Sequence, residues 1–175
     1  AQIAGVAYGG WGWGCTLLDM ENNGWLDIAA TNGFFLIAGL PDPSLFYRNT
    51  GSDPNFFVDA SDEVGFNDML WGCALITFDW NRDGWLDLAQ LTLGHFLPED
   101  AAIRLLENRE AGPDASTNNY LVVKPRMNGP NYFAIGAMVT VEVGDLSMMR
   151  LIHAGTSYLA QEPAEAFFGL GDARR

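Results

Sequence analysis

Asp19, Glu21, Asn23 and Asp27 set oxygen-bearing side chains at positions one, three, five and nine of a loop whose sixth residue is Gly24. The same pattern returns as Asp79, Asn81, Asp83 and Asp87 around Gly84. A tight turn aims alternate side chains at one point, and glycine at six tolerates the positive φ that such a turn requires. Position seven, Trp25 or Trp85, adds a backbone carbonyl. Calcium takes about six to eight oxygen ligands in flexible geometry. The chemistry of this spacing is therefore calcium binding, one ion per loop and two per chain. Each loop carries three carboxylates, which repel one another unless a cation neutralises them. The competing reading is a metal-free hairpin, because Asn-Gly and Asp-Gly favour tight turns unaided. An Asp at position nine in both copies favours the metal.

The flanks decide what holds these loops. An EF-hand would place a bidentate Glu at position twelve, where this chain has Ala30 and Gln90. The runs Cys15–Leu18, Ile28–Thr31, Leu75–Phe78 and Leu88–Leu91 are apolar and of strand length, so each loop is expected to join two strands. Aligning the loops also aligns Trp11-Gly12 with Trp71-Gly72. After the first loop, Leu45–Gly51, Asn55–Asp59 and Val64–Phe66 read as strand and turn in alternation, and Ile103–Asn108 echoes Leu45–Asn49. A unit of this size with about four strands matches a propeller blade.

From Glu107 to Asn119 the chain is polar and reads as a linker. Beyond it, Tyr120–Lys124 reads as a strand, Ala137–Val143 and Leu146–His153 as a hairpin about Gly144-Asp145, and Phe167-Phe168 as a last short strand. The expected fold is all-β: two propeller-blade-like repeats at about 1–60 and 61–108, a linker at 109–119, and a small β-domain at 120–175.

Composition narrows the function. The chain has 175 residues, 49% hydrophobic and 18% charged, with a net charge of −13. That charge argues against nucleic acid and anionic membranes as partners. No apolar stretch is long enough to span a bilayer. Loops with several carboxylates suit a calcium-rich exterior, and Ala1 is compatible with the cleaved end of a secreted chain, so the expected location is secreted, extracellular or cell-surface. Cys15 and Cys73 precede their loops by four and six residues, an even difference that puts both side chains on equivalent strand faces. They are either a disulfide between adjacent repeats or two buried thiols. His95 and His153 stand apart, with no nucleophile motif, phosphate-binding glycine loop or cysteine–histidine zinc pattern. No enzyme is expected.

The repeats resemble FG-GAP/VCBS repeats, on Trp11–Gly14 leading into Asp19–Asp27, Leu45–Gly51 with Phe56–Asp59, and Trp71-Gly72 leading into Asp79–Asp87. The tail resembles the ASPIC/UnbV domain, on Asn131, Ile135–Ala137, Ala154-Gly155, Ser157–Gln161 and Phe168–Gly171. The pairing resembles the cartilage acidic protein-like family of bacterial type. That resemblance implies calcium ligands at Asp19, Glu21, Asn23, Asp27, Asp79, Asn81, Asp83 and Asp87, and no catalytic residue.

Two repeats are fewer than the three or so that stacked architectures need. The expectation is an extracellular calcium-binding structural protein that assembles with copies of itself into an oligomer or filament. The alternative is a calcium-stabilised adhesion module for a glycan or protein. Its aromatic residues suit stacking on sugars, whereas the recurrence of Trp at 11/71 and 25/85 points to repeat cores.

Overall fold

The computed structural model describes residues 2–33, 42–51, 56–93, 102–109 and 117–173 of the chain. His95, the start of the Asn55–Asp59 run and most of the expected linker lie outside these residues.

Short apolar runs bounded by Asn, Asp and Gly become strands. β1 (Cys15–Leu18), β2 (Asp27–Ala30), β3 (Leu45–Asn49) and β4 (Phe57–Asp59) form an antiparallel sheet in chain order. β5 (Trp71–Phe78), β6 (Asp87–Leu93) and β7 (Ala102–Leu106) form a second sheet of the same up-and-down kind. The acidic loops are the β1–β2 and β5–β6 connections. Both close on the same register, Leu18 opposite Asp27 and Phe78 opposite Asp87.

The segment between the sheets differs from the alternating strands and turns expected. Ser61–Val64 is a one-turn helix, α1, ended by Gly65 at φ 72°. The Asp59 carboxylate accepts the Ser61 N–H at 3.0 Å and the Ser61 hydroxyl at 2.5 Å, which starts the turn. Asp62 and Glu63 then place negative charge in its first turn, where helix N–H groups favour it.

The C-terminal part holds β8 (Asn119–Val123), β9 (Met138–Val143), β10 (Leu146–Leu151) and β11 (Ala166–Gly171). β9 and β10 form the expected hairpin, and β8 pairs with β11. Asn119, assigned to the linker by the sequence reading, is already paired in β8.

One core spans both repeats: Leu18, Ala29, Phe46, Leu75, Leu86 and Leu88 are buried together. A second lies in the C-terminal part around Met148, Ile152, Ala166 and Phe168. Adjacent residues of a strand point to opposite faces, and β11 uses this to separate the cores. Phe167 packs on the first while Phe168 is wholly buried in the second. Phe167 also stacks on Tyr120, with ring centres 5.5 Å apart.

The chain is nearly all β, and its sheets do not close into a barrel. The outer edge of β4 is covered by the N-terminal segment, where the Phe57 N–H donates to the Ala4 carbonyl. No strand among the described residues pairs with the outer edge of β7. No helix among them is long and apolar enough to cross a membrane.

Candidate metal centres

The loops share one backbone path. Position four takes positive φ in each, Asn22 at 53° and Arg82 at 62°, and Gly24 and Gly84 both stand at 94°. A side chain is strained at such an angle, so glycine at six is a conformational requirement.

The hydrogen bonds also repeat. Asp19 accepts the N–H groups of Asn23 and Gly24 at 2.9 and 2.7 Å, and Asp79 those of Asp83 and Gly84 at 3.1 and 3.0 Å. Position five accepts the N–H of position seven, Trp25 on Asn23 at 2.8 Å and Trp85 on Asp83 at 2.9 Å. One oxygen of the ninth-position Asp accepts the second residue's N–H: Met20 on Asp27 and Trp80 on Asp87, both at 3.1 Å. The other accepts an N–H from the end of the third strand, Asn49 on Asp27 at 2.7 Å and Asn108 on Asp87 at 2.8 Å.

These partners extend the site beyond the expected ligands. Asn49 and Asn108 end segments that already echo one another in sequence, and that echo was the available signal. Position four carried a weaker one in the first loop, where asparagine tolerates the left-handed conformation better than most residues.

Burial makes the first loop electrostatically tense. Asp27 is pushed up to about 7, chiefly by loss of solvation and further by the charges of Asp19 and Glu21, against the N–H groups of Asn49 and Met20. Asp19 is also raised by burial, opposed by the Gly24, Asn23 and Gly169 N–H groups and by the Arg150 charge. Asp87 is raised by burial and then by Asp83 and Asp79.

The donors are all oxygen, the type that a hard cation such as calcium takes. Each of the six carboxylate-bearing residues contributes oxygens with more than one lone pair, so a backbone N–H does not exhaust them. Asn22 adds a buried side-chain oxygen with no hydrogen-bond partner among the described residues. Glu21 fits less well, since it pairs with Arg48 at 2.9 Å, and Arg48 in turn grips Glu63 through two 2.9 Å bonds. No group of three or more His, Cys, Asp or Glu among the described residues gathers closely enough to hold a metal. Trp25 is exposed on the first loop and Trp85 buried on the second.

Cys15 and Cys73 are both free, Cys15 exposed and Cys73 buried. The disulfide considered from sequence is corrected by a β-bulge: β5 slips register between Gly72 and Ala74, leaving Cys73 as the extra residue. A bulge breaks the period of two on which the parity argument rests.

A cleft of about 510 Å³ lies where β1 and β5 meet the C-terminal part. Leu17, Phe78 and Met149 line it beside Glu162, His153 and Arg150. Burial raises the Glu162 carboxyl, opposed by hydrogen bonds from the Thr16 hydroxyl and the Thr77 N–H and by the His153 charge.

No curated protein matches the chain. Residues 127–175 match the family model described as ASPIC and UnbV, so the C-terminal part of the chain is similar to that domain.

Proposed function

We propose that this chain is an extracellular calcium-binding structural module, with one calcium ion held by Asp19, Asn23 and Asp27 and one by Asp79, Asn81, Asp83 and Asp87. Glu21 and the carbonyls of Trp25 and Trp85 complete the donor sets. The observation that carries this reading is the pair of loops, alike in backbone path, in register and in the backbone N–H groups that positions one, five and nine accept. The two loops keep oxygen-bearing side chains at positions one, three, five and nine although the residues at three and five differ, Glu21 and Asn23 against Asn81 and Asp83. Bound calcium would supply positive charge to carboxylates that otherwise raise one another's proton affinity.

The resemblance of residues 1–108 to FG-GAP/VCBS repeats agrees with this, and a four-stranded meander is the form of a propeller blade. Self-assembly belongs to the same proposal, because the outer edge of β7 carries exposed Ile103 and Leu105. An edge that no described strand pairs is a template for another strand.

The test is thermal unfolding in millimolar calcium and in EGTA, with light scattering to read the assembly state. A ligand bound only to the folded state at a hundredfold excess over Kd stabilises by about 2.7 kcal/mol per site. A midpoint unmoved by chelation would remove the calcium reading, and a lone monomer in calcium would remove the assembly reading.

The adhesion alternative has one observation of its own. Tyr132 and Phe133 are more than half exposed and meet edge to face, with the Arg126 guanidinium 5.7 and 5.1 Å from their ring centres. This is a surface on which a sugar ring or peptide side chain could stack. A glycan array on which wild type and the Tyr132→Ala/Phe133→Ala variant give equal signals would exclude this surface.

A further inference from the structure

Two unpaired strand edges border the cleft of about 510 Å³. The successive residues Cys15 to Leu18 of β1 line it, and so do Met149 to Leu151 of β10. Neighbouring side chains of a strand point to opposite faces, so a run of successive residues presents its backbone edge. β10 pairs only with β9, and β1 only with β2. The two-residue turn makes Val143 and Leu146 a hydrogen-bonded pair, so Met149 and Leu151 turn their N–H and C=O groups away from β9. The Met149 carbonyl accordingly accepts the Arg150 side chain at 3.0 Å. On β1, the Cys15 N–H leaves the sheet for the Ser157 hydroxyl at 3.1 Å, and Leu17 two residues on turns the same way.

The cleft is apolar at its mouth and cationic at its buried end. Leu17, Met149 and Leu151 are 55%, 58% and 44% exposed there, beside Phe78. The Arg150 guanidinium lies 5.1 Å from the Phe168 ring centre, and its Nη2 is buried without a hydrogen-bond partner. Asp19 is the charge that faces it, but the Asp19 carboxylate accepts the N–H groups of Asn23, Gly24 and Gly169 and leaves Nη2 unmet. A buried guanidinium N–H without an acceptor is costly, and a carboxylate is its best partner. Asp19 and Ala166, both buried, close the cleft at this end, so a chain reaching Nη2 stops there.

We infer that this cleft binds the C-terminal end of an extended apolar peptide. Its backbone would add to the β10 edge at Met149 and Leu151, its side chains would cover Leu17, Phe78 and Met149, and its terminal carboxylate would reach Arg150. Main-chain bonds supply affinity in such strand addition, and the pockets and the terminal charge supply specificity. The volume falls in the range of about 300–1,000 Å³ usual for ligand sites. Nothing in this inference depends on calcium.

The probe is a library of synthetic peptides of about six residues, with Val or Leu fixed at alternate positions and a free C-terminus, applied to the full wild-type chain. A binding peptide should weaken about tenfold or more when its C-terminal carboxylate is replaced by an amide. It should slow hydrogen exchange at the Met149 and Leu151 amides about tenfold or more and leave Ile103 and Leu105 of β7 unchanged. Arg150→Gln should abolish the difference between acid and amide peptides. Leu151→Pro, which removes an edge N–H that β9 does not use, should weaken both alike. A library without a binder overturns the inference, as does equal binding of acid and amide, or protection at β7 in place of β10. Protection of Met149 and Leu151 that rises with protein concentration alone, with a dimer seen by light scattering, makes a second copy the occupant and overturns it too.

Discussion

The Asn22 side-chain amide donates a 2.9 Å hydrogen bond to the carbonyl of Gly84, 62 residues further along the chain. The two acidic loops are therefore in direct contact, and a repetition in sequence has become a junction in space. Asn22 reaches across from a left-handed backbone position, φ 53°, while its own carbonyl receives Gly171 of β11. One residue thus joins both repeats to the C-terminal domain.

Replacing Asn22 should separate the bond from the backbone. Asn22→Gly keeps the left-handed backbone but removes a buried side chain and leaves the Gly84 carbonyl without this donor, which should cost about 1–3 kcal/mol. Asn22→Ala must also hold positive φ, which adds about 1–2 kcal/mol. Urea unfolding should therefore rank wild type above Gly and Gly above Ala; an Ala variant more stable than the Gly variant contradicts this account.

The raised Asp27 carboxyl predicts an unusual pH dependence in chelator. Its folded value, about 7, lies above the ordinary Asp value of 3.8. Between these values the folded chain binds more protons than the unfolded chain, so stability falls as pH rises. The steepest slope from one such group is about 1.4 kcal/mol per pH unit. Asp19, Asp87 and Glu162 are raised too and add the same sign, while Glu63, lowered by Arg48, acts with opposite sign only toward acid. Chemical denaturation at pH 5, 6 and 7.5 should show decreasing stability, and Asp27→Asn should flatten the trend.

Glu162 ties the Thr16 hydroxyl of β1 and the Thr77 N–H of β5 to the C-terminal part. Thr16→Val leaves a buried acceptor short of a donor and should cost about 1–3 kcal/mol. Glu162→Gln keeps an acceptor oxygen without a charge to desolvate, and at pH 7.5 should cost less than Glu162→Ala. Unfolding midpoints for the three variants, compared side by side, check the ranking.

Thiol labelling should resolve the two cysteines. Native protein should react at Cys15 alone, and unfolded protein at both. Cys15 is an exposed residue at the rim of the Glu162 cleft, where partial loss of solvation and then the Glu162 charge raise its thiol, so native labelling should be slow at neutral pH and quicken toward alkaline pH. Intact-mass spectrometry counts the labels; a native protein with neither thiol reactive and a mass two hydrogen atoms short would restore the disulfide.

Much of this architecture is written in short stretches of chain. The apolar runs Leu75–Phe78 and Leu88–Leu91 bracket Asp79–Asp87, and the turn residues between them stop both runs on the loop side and fold them into a hairpin. The hairpin at Gly144-Asp145 is equally local. Helix α1 escapes such a reading because four residues carry no period, and the Cys73 bulge because one extra residue leaves no mark in composition. The anchoring of Asp27 by Asn49, and of Asp87 by Asn108, depends on a third strand folding back, which spacing within the loop does not specify.

Residue type and interval alone establish two loops with oxygen-bearing side chains at the same four positions, Glu and Asn at three and five in one and Asn and Asp in the other. They do not say what covers either loop. Packing decides that: β11 reaches Asp19 through Gly169, while Asp83 is exposed. Desolvation depends on which surfaces meet, and that is settled by contacts between residues far apart in the chain, where local periodicity has no influence.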